Sequence, residues 1–263
     1  MGNKFKTFAS QFALKAGEII KKNFILGMKK EWKKDNTPVT ATDLMINSML
    51  INEIAKEFPR HSVLAEEQSN IKNVSEYVWV CDPVDGTIPF SHGIPLCTFS
   101  LALVKNGEVI LGVVNDPFSE RLFVAEKGKG TFLNNKAIRV STVSSLENAM
   151  GDCEMFKRAK YNTAKLTDRL IMFNDRLTRL NSMIYPSVLI AAGELDFTIF
   201  SHITPWDAAS VKIIVEEAGG RVTDIFGNKQ RYDKDINGFV ASNGVLHDKL
   251  IDLTSKLVSQ NKF

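Results

Sequence analysis

Trp79-Val80-Cys81-Asp82-Pro83-Val84-Asp85-Gly86-Thr87 is the stretch from which the fold can be read. The apolar run Tyr77–Cys81 predicts a buried strand. Beyond it come two carboxylates three residues apart, with Pro83 between them and Gly86-Thr87 behind. A strand ending this way sets two acids and several backbone N–H groups at one edge of a sheet. Close carboxylates repel unless a cation lies between them, and hard divalent ions suit all-oxygen sites. The turn at Gly86 can aim N–H groups at an anion. On these residues alone an ordinary Pro/Asp/Gly turn at a strand end stands level with a metal-and-phosphate cradle.

Working outward, Ser62-Val63-Leu64-Ala65 predicts a short strand ending in Glu66-Glu67, an acid pair of the kind that is usually solvated but whose place shortly before the Asp82 strand allows the two strand ends to converge. Upstream, Phe5 to Ile25 carries apolar residues at helical spacing, and Thr40-Ala41-Thr42-Asp43 opens a second helix running to about Phe58. Asp43 alone reads as a first-turn acid favoured by the helix dipole. Downstream, Ile88 to Ile94 predicts a short helix with Pro89 early. Strands follow at Cys97–Lys105, Glu108–Asn115, Arg121–Glu126 and Thr131–Leu133, with Asn106-Gly107 as a two-residue hairpin turn. Residues 1–140 therefore read as helices packed on an antiparallel sheet.

Residues 141–263 alternate helix and strand and read as α/β. Thr142–Glu147 leads into a short helix. Asn162–Leu180 is expected to be helical, Ser182–Tyr185 extended, Pro186–Ala192 helical and Phe197–Phe200 extended. Trp206–Ala218 is a helix closed by Gly219-Gly220. Arg221–Thr223 and Gly238–Ala241 are short strands, and the last helix runs from Gly244 to about Ser259. Asp207, in Pro205-Trp206-Asp207-Ala208-Ala209, reads by itself as a helix N-cap.

Composition sets outer bounds. The 263 residues carry 44% hydrophobic and 24% charged side chains and a net charge of +3. That is ordinary for a globular protein and too weakly basic to argue for nucleic acid. Cys81, Cys97 and Cys153 are odd in number and lack metal-ligand spacing, which points to reduced thiols and a cytoplasmic location. No secretory pattern follows Met1, and no apolar run approaches a membrane span.

Taken in order, Thr40–Asp43, Glu66-Glu67, Asp82–Thr87, Lys127-Gly128-Lys129-Gly130-Thr131-Phe132, Trp206–Ala209 and Glu217-Ala218-Gly219-Gly220 resemble the inositol monophosphatase family of metal-dependent, lithium-sensitive phosphatases. The resemblance covers nearly the whole chain. It implies a layered αβαβα sandwich shared with fructose-1,6-bisphosphatases, α+β in one half and α/β in the other, and a homodimer. It implies two to three Mg²⁺ ions, for which Mn²⁺ may substitute. Glu66, Asp82 and the Val84 carbonyl would hold the first ion, and Asp82, Asp85 and Asp207 the second; a third is expected near Glu66. Gly86 and Thr87 would bind phosphate through backbone N–H groups. Asp43 and Thr87 would share a proton relay that, with Glu66, readies the attacking water.

The implied activity is hydrolysis of a small soluble phosphate ester of the inositol monophosphate type, with no membrane or nucleic-acid partner. Histidinol phosphate, fructose 1,6-bisphosphate and a nucleotide 3′-phosphate are the alternatives on the same fold; Gly93-Ile94-Pro95-Leu96 resembles the histidinol phosphate branch. A regulatory binding protein with secondary phosphatase activity is the competing class. This chain departs from the family at Ala65, at Ile88-Pro89-Phe90, at Asn181-Ser182-Met183 and at Phe200, where animal members carry a glutamate that contacts a ring hydroxyl. Phe200 reads equally as a pocket wall or as a core residue. His92 and His202 are left out of catalysis, and Lys33 and Lys34 read as solvated.

Overall fold

The computed structural model describes residues 2–25, 31–32, 38–72, 75–155, 159–174 and 176–260. Helices α1 (Gly2–Asn23) and α2 (Ala41–Glu57) come first, with a two-strand ribbon of β1 (Glu31–Trp32) and β2 (Pro38–Val39) between them. Lys33 and Lys34 lie outside the described residues. Thr40 caps α2 in a capping box: its backbone N–H donates to Asp43, and its side chain accepts from the Thr42 N–H.

The first sheet has seven strands in sequence order: β3 (Ser62–Ala65), β4 (Tyr77–Asp85), β5 (Thr98–Lys105), β6 (Glu108–Asp116), β7 (Arg121–Glu126), β8 (Thr131–Leu133) and β9 (Lys136–Ala137). The sheet is antiparallel except at β3, which pairs parallel to β4 and corrects the all-antiparallel expectation. That parallel pair is what brings the Glu66 and Asp82 ends of two strands side by side. The strand expected to end at Cys81 continues to Asp85. Its register against β5 shifts between Asp82, opposite Ser100, and Asp85, opposite Thr98. Pro83 has no N–H to give the ladder, so it falls in this irregularity, which bends the strand end. Asn106 and Gly107 both have positive φ, as the tight β5–β6 hairpin requires. Helix α3 (Thr87–Ser91) follows β4 directly and is shorter than expected.

The second sheet joins β10 (Gly151–Cys153), β12 (Leu177–Thr178), β13 (Phe197–Phe200), β14 (Arg221–Thr223) and β15 (Phe239–Ser242) in the order 12-10-13-15-14. A second ribbon pairs β11 (Tyr161–Asn162) with β16 (Ser259–Gln260). The helices here are α4 (Ala164–Ile171), α5 (Ile184–Ala191), α6 (Ala209–Glu217) and α7 (His247–Leu257). Helices α1 and α2 cover the outer face of the first sheet, α5 and α6 lie between the sheets, and α4 and α7 cover the second. Five layers, αβαβα, result. Three apolar cores fill the gaps, the central one running from Val80 and Phe123 through Val188 and Ile214 to Phe239.

Several local expectations are corrected. No helix follows Thr142–Glu147; those residues form an irregular connection. The helix expected over Asn162–Leu180 stops at Ile171, because Asn174 turns back to donate to the Ala149 carbonyl (3.1 Å) and Leu177–Thr178 pair with β10. Tertiary pairing outweighs helix propensity there. Ser182–Tyr185 is not extended: α5 begins at Ile184. Asp207 does not cap a helix. It closes a 3₁₀ turn, Pro205–Asp207, and α6 starts at Ala209.

Candidate active site

Glu66, Asp82, Val84, Asp85, Gly86, Thr87 and Asp207 line one cavity of about 250 Å³ between the sheets. Asp82 and Asp85 come from the bent end of β4, Glu66 from the end of β3, and Asp207 from the 3₁₀ turn before α6. One carboxylate oxygen from each of Asp82, Asp85 and Asp207 lies within 4.8 Å of the others. Asp82 is 2% and Asp85 4% exposed. Burial chiefly, then the neighbouring charges of Glu66, Asp85 and Asp207, pushes the Asp82 carboxyl well above the usual carboxylate range.

Each acid has its own anchor. Asp82 Oδ1 accepts the Val84 N–H at 2.9 Å. Asp85 is held most tightly. Its Oδ1 accepts the Met183 N–H (2.8 Å), and its Oδ2 accepts the N–H groups of Ile184 (3.1 Å) and Tyr185 (3.3 Å), the Thr98 hydroxyl (3.1 Å) and the Ser182 hydroxyl. The carboxylate thus sits on the first turn of α5, where open N–H groups and the dipole favour negative charge. Burial raises Asp85, and these donors oppose the rise. Thr204 donates its hydroxyl to Asp207.

Thr87 and Asp43 form a second line. Thr87 Oγ1 lies 2.9 Å from the Val84 carbonyl, which accepts its proton, and 3.3 Å from Asp43 Oδ1. Asp43 is fully buried behind Thr87 and does not line the cavity. Burial raises it to about 6; Thr40 hydrogen bonds lower it and the charge of Glu66 adds to the rise. Gly86 turns the chain between β4 and α3 with φ +85°. A Cβ there would stand 3.0 Å from the Leu96 carbonyl, so both the conformation and the space call for glycine.

The profile of the inositol monophosphatase family matches residues 2–259. The chain belongs to that family. Its members are Mg²⁺-dependent phosphatases, and this chain, like them, is a hydrolase of phosphate monoesters. It is 38% identical over 223 residues to the fructose-1,6-bisphosphatase/inositol-1-monophosphatase of Thermotoga maritima, covering 84% of each chain. It is 32% identical over 222 residues to the histidinol-phosphatase of Chlorobaculum parvum, covering 83% of this chain and 84% of that one. A solved Thermotoga maritima IMPase superposes with a TM-score of 0.86 at 35% identity, covering 95% of this chain and 96% of the other.

Two groups of residues around the site are not legible from motifs. The first is Ser182–Tyr185 with Thr98, the donors to Asp85. Asn181-Ser182 carries a trace of them, since Asn181 adopts φ +53°, a turn conformation that suits Asn before a helix. The second is Asp152, Glu154 and Arg179, which tie down the segment just before those donors and leave no local pattern in sequence. His202 lines the cavity and His92 does not. Phe200 is 2% exposed within the central core and is also one of the residues bordering the cavity.

Proposed function

We propose that Glu66, Asp82, Asp85, Asp207 and the Val84 carbonyl hold the Mg²⁺ ions of a phosphomonoesterase that acts on one small phosphorylated metabolite. The observation that carries this reading is the approach of Asp82, Asp85 and Asp207 within 4.8 Å while two of the three are buried. Three carboxylates packed so closely repel one another, and a divalent cation offsets that repulsion. The cluster offers hard oxygen donors and neither imidazole nor thiolate, a set that suits Mg²⁺ better than Zn²⁺. Two to three ions, with Mn²⁺ as a substitute, agree with five donor residues.

Bound there, Mg²⁺ neutralises the charge of the phosphate, makes water more acidic and stabilises the departing alkoxide. The chain's own residues position the reaction. Asp82 faces both Glu66 and the Asp85–Asp207 pair and is the shared ligand. The N–H groups of Gly86 and Thr87 receive the phosphate. The Val84 carbonyl accepts from Thr87 with one lone pair and keeps the other for a cation. Asp43 and Thr87 orient the attacking water, with Glu66 on its other side. A nucleophilic Ser or Cys is not needed, so attack is direct and in line. Cys81, Cys97 and Cys153 are buried and free of disulfides, which supports a reducing, cytoplasmic setting. No helix among the described residues is long and apolar enough to cross a membrane.

Asp85→Asn tests the assignment. It keeps the side-chain shape and one of the two acceptor oxygens but removes the charge. Phosphate release should fall on the order of 10²-fold or more, with the urea unfolding midpoint little changed. Hydrolysis at the parental rate would overturn the ligand set.

A further inference from the structure

Asn181 borders the cavity together with the carboxylates. Its backbone is fixed. The Asn181 N–H donates to Glu154, to which Arg179 donates at 3.0 Å, and the residue takes φ +53° one position before the hydroxyl that binds Asp85. Its side chain is not tied down in the same way. Asn181 is half-buried, and its amide has no hydrogen-bond partner among the described residues. The hydroxyls of Ser182 and Thr204, on the same cavity, give their protons to Asp85 and Asp207 and keep acceptor capacity alone. Asn181 brings two N–H donors and a carbonyl oxygen. The left-handed turn does not by itself call for that side chain, because glycine takes such a φ as readily. The position is also close to the expected phosphate site. A Cβ on Gly86 would stand 3.4 Å from the Ser182 Cβ, so the phosphate turn packs against the Asn181-Ser182 segment.

We infer that Asn181 is a specificity-determining residue whose side-chain amide hydrogen-bonds a hydroxyl on the alcohol half of the ester, carried by the carbon next to the ester carbon. The inference rests on the phosphatase reading above and deepens it. With the phosphate on Gly86 and Thr87, the substituents nearest the phosphate are the ones that meet Asn181. In solution water pairs with the amide, and an ester that fills the cavity of about 250 Å³ displaces that water. An alcohol that is bare at this carbon leaves the amide unpaired, and a stranded polar group opposes binding. A hydroxyl both gives and takes a hydrogen bond, so it answers the amide N–H or the amide oxygen; an ammonium answers the oxygen alone. A site that hydrogen-bonds a substrate hydroxyl rejects the analogue lacking it, which a purely apolar wall does not do.

Three esters decide the matter: cyclohexyl phosphate and the cis and trans isomers of 2-hydroxycyclohexyl phosphate, compared by kcat/KM with saturating Mg²⁺ in the parent and in Asn181→Gly. Glycine keeps the left-handed turn and the N–H given to Glu154 and removes only the amide. Should that variant not fold, Asn181→Ala removes the same group. The intrinsic reactivity of each ester is the same for both enzymes and cancels in the comparison. The ratio of kcat/KM for the better hydroxyl ester to that for cyclohexyl phosphate should fall roughly 10-fold in the variant, mostly through KM. A purely structural role for Asn181 would disturb Asp85 and lower all three esters alike, leaving the ratio where it was. An unchanged ratio in the folded variant overturns the inference and leaves the phosphatase reading intact. A parent enzyme that releases phosphate from none of the three, nor from wider panels, overturns both.

Discussion

Arg179 donates its Nε–H to Glu154 Oε2 at 3.0 Å, joining a half-exposed guanidinium to a carboxylate with no solvent exposure at all. The same guanidinium donates to the Met155 carbonyl at 2.7 Å, and Glu154 also accepts the Asn181 N–H. Asp152, two residues earlier on β10, accepts from the Leu180 N–H (3.2 Å) and the Thr178 hydroxyl (3.0 Å). Residues 178–181 are thereby fixed, and the next four residues supply four of the five donors to Asp85. The end of one strand in the second sheet sets the orientation of an acid from the first.

Arg179→Ala removes the clamp. A charge-assisted hydrogen bond of this type is worth about 2 kcal/mol, below the cost of breaking a fully buried pair because water can reach the site. Urea unfolding should show a loss of that size. The Mg²⁺ concentration for half-maximal activity should rise, while kcat at saturating Mg²⁺ changes little, because Asp85 is displaced rather than removed. Arg179→Lys should recover little, as an ammonium cannot match the planar fork. A variant with parental Mg²⁺ dependence would break the link from Arg179 to Asp85.

Asp152 gives the fold a pH dependence of its own. Its Oδ1 is buried and finds no partner among the described residues. Burial first, then the charge of Glu154, raises its carboxyl from 3.8 to about 7. A folded-state value above the unfolded one means the native state binds the proton more tightly. The stability this confers is complete below pH 4 and is lost as pH rises through 7. At about 1.4 kcal/mol per pH unit between the two values, the loss is at most about 4.5 kcal/mol. Asp152→Asn cannot ionise, so its urea midpoint relative to the parent should climb between pH 5 and pH 8 in metal-free buffer. Parallel midpoint curves for the two proteins would show that Asp152 does not titrate in that range.

The layered fold is legible because its determinants are local. The periodicities of α1 and α2 and the Asn106-Gly107 turn each act within a few residues, and all appear where the sequence puts them. The nearness of Glu66, Asp82 and Asp207 is legible through order of motifs, not through spacing. What escapes is set by distant partners. Leu177–Thr178 look helical until β10 offers them a ladder, and Ser182–Tyr185 look extended because nothing nearby announces Asp85 as the anion on their helix. Asp207 stands two residues after Pro205 and precedes a helix, yet its oxygen is taken by Thr204 and the cap falls to Ala208. Phe200 could not be assigned to core or pocket from alternation, since the residue serves both.

Asp43 and Thr87 set the last expectation. With its Thr40 bonds and its burial, Asp43 sits at about 6 in the metal-free protein. At rest Thr87 gives its proton to the Val84 carbonyl, and only ionised Asp43 can take that proton when the hydroxyl turns to Oδ1, so kcat should fall on the acid side as Asp43 is protonated. Cations beside Glu66 offset part of the repulsion that raises Asp43, so under saturating Mg²⁺ this limb should lie below pH 6. Asp43→Asn should lower kcat roughly 10²- to 10⁴-fold and flatten the acid limb, with the Mg²⁺ half-saturation little changed. Thr87→Val should do the same, and Thr87→Ser, which keeps the hydroxyl, should restore activity. Because the two residues act as one unit, the double variant should lose little beyond either single one. A rate profile for Asp43→Asn that matches the parent in height and shape would remove both residues from the handling of water.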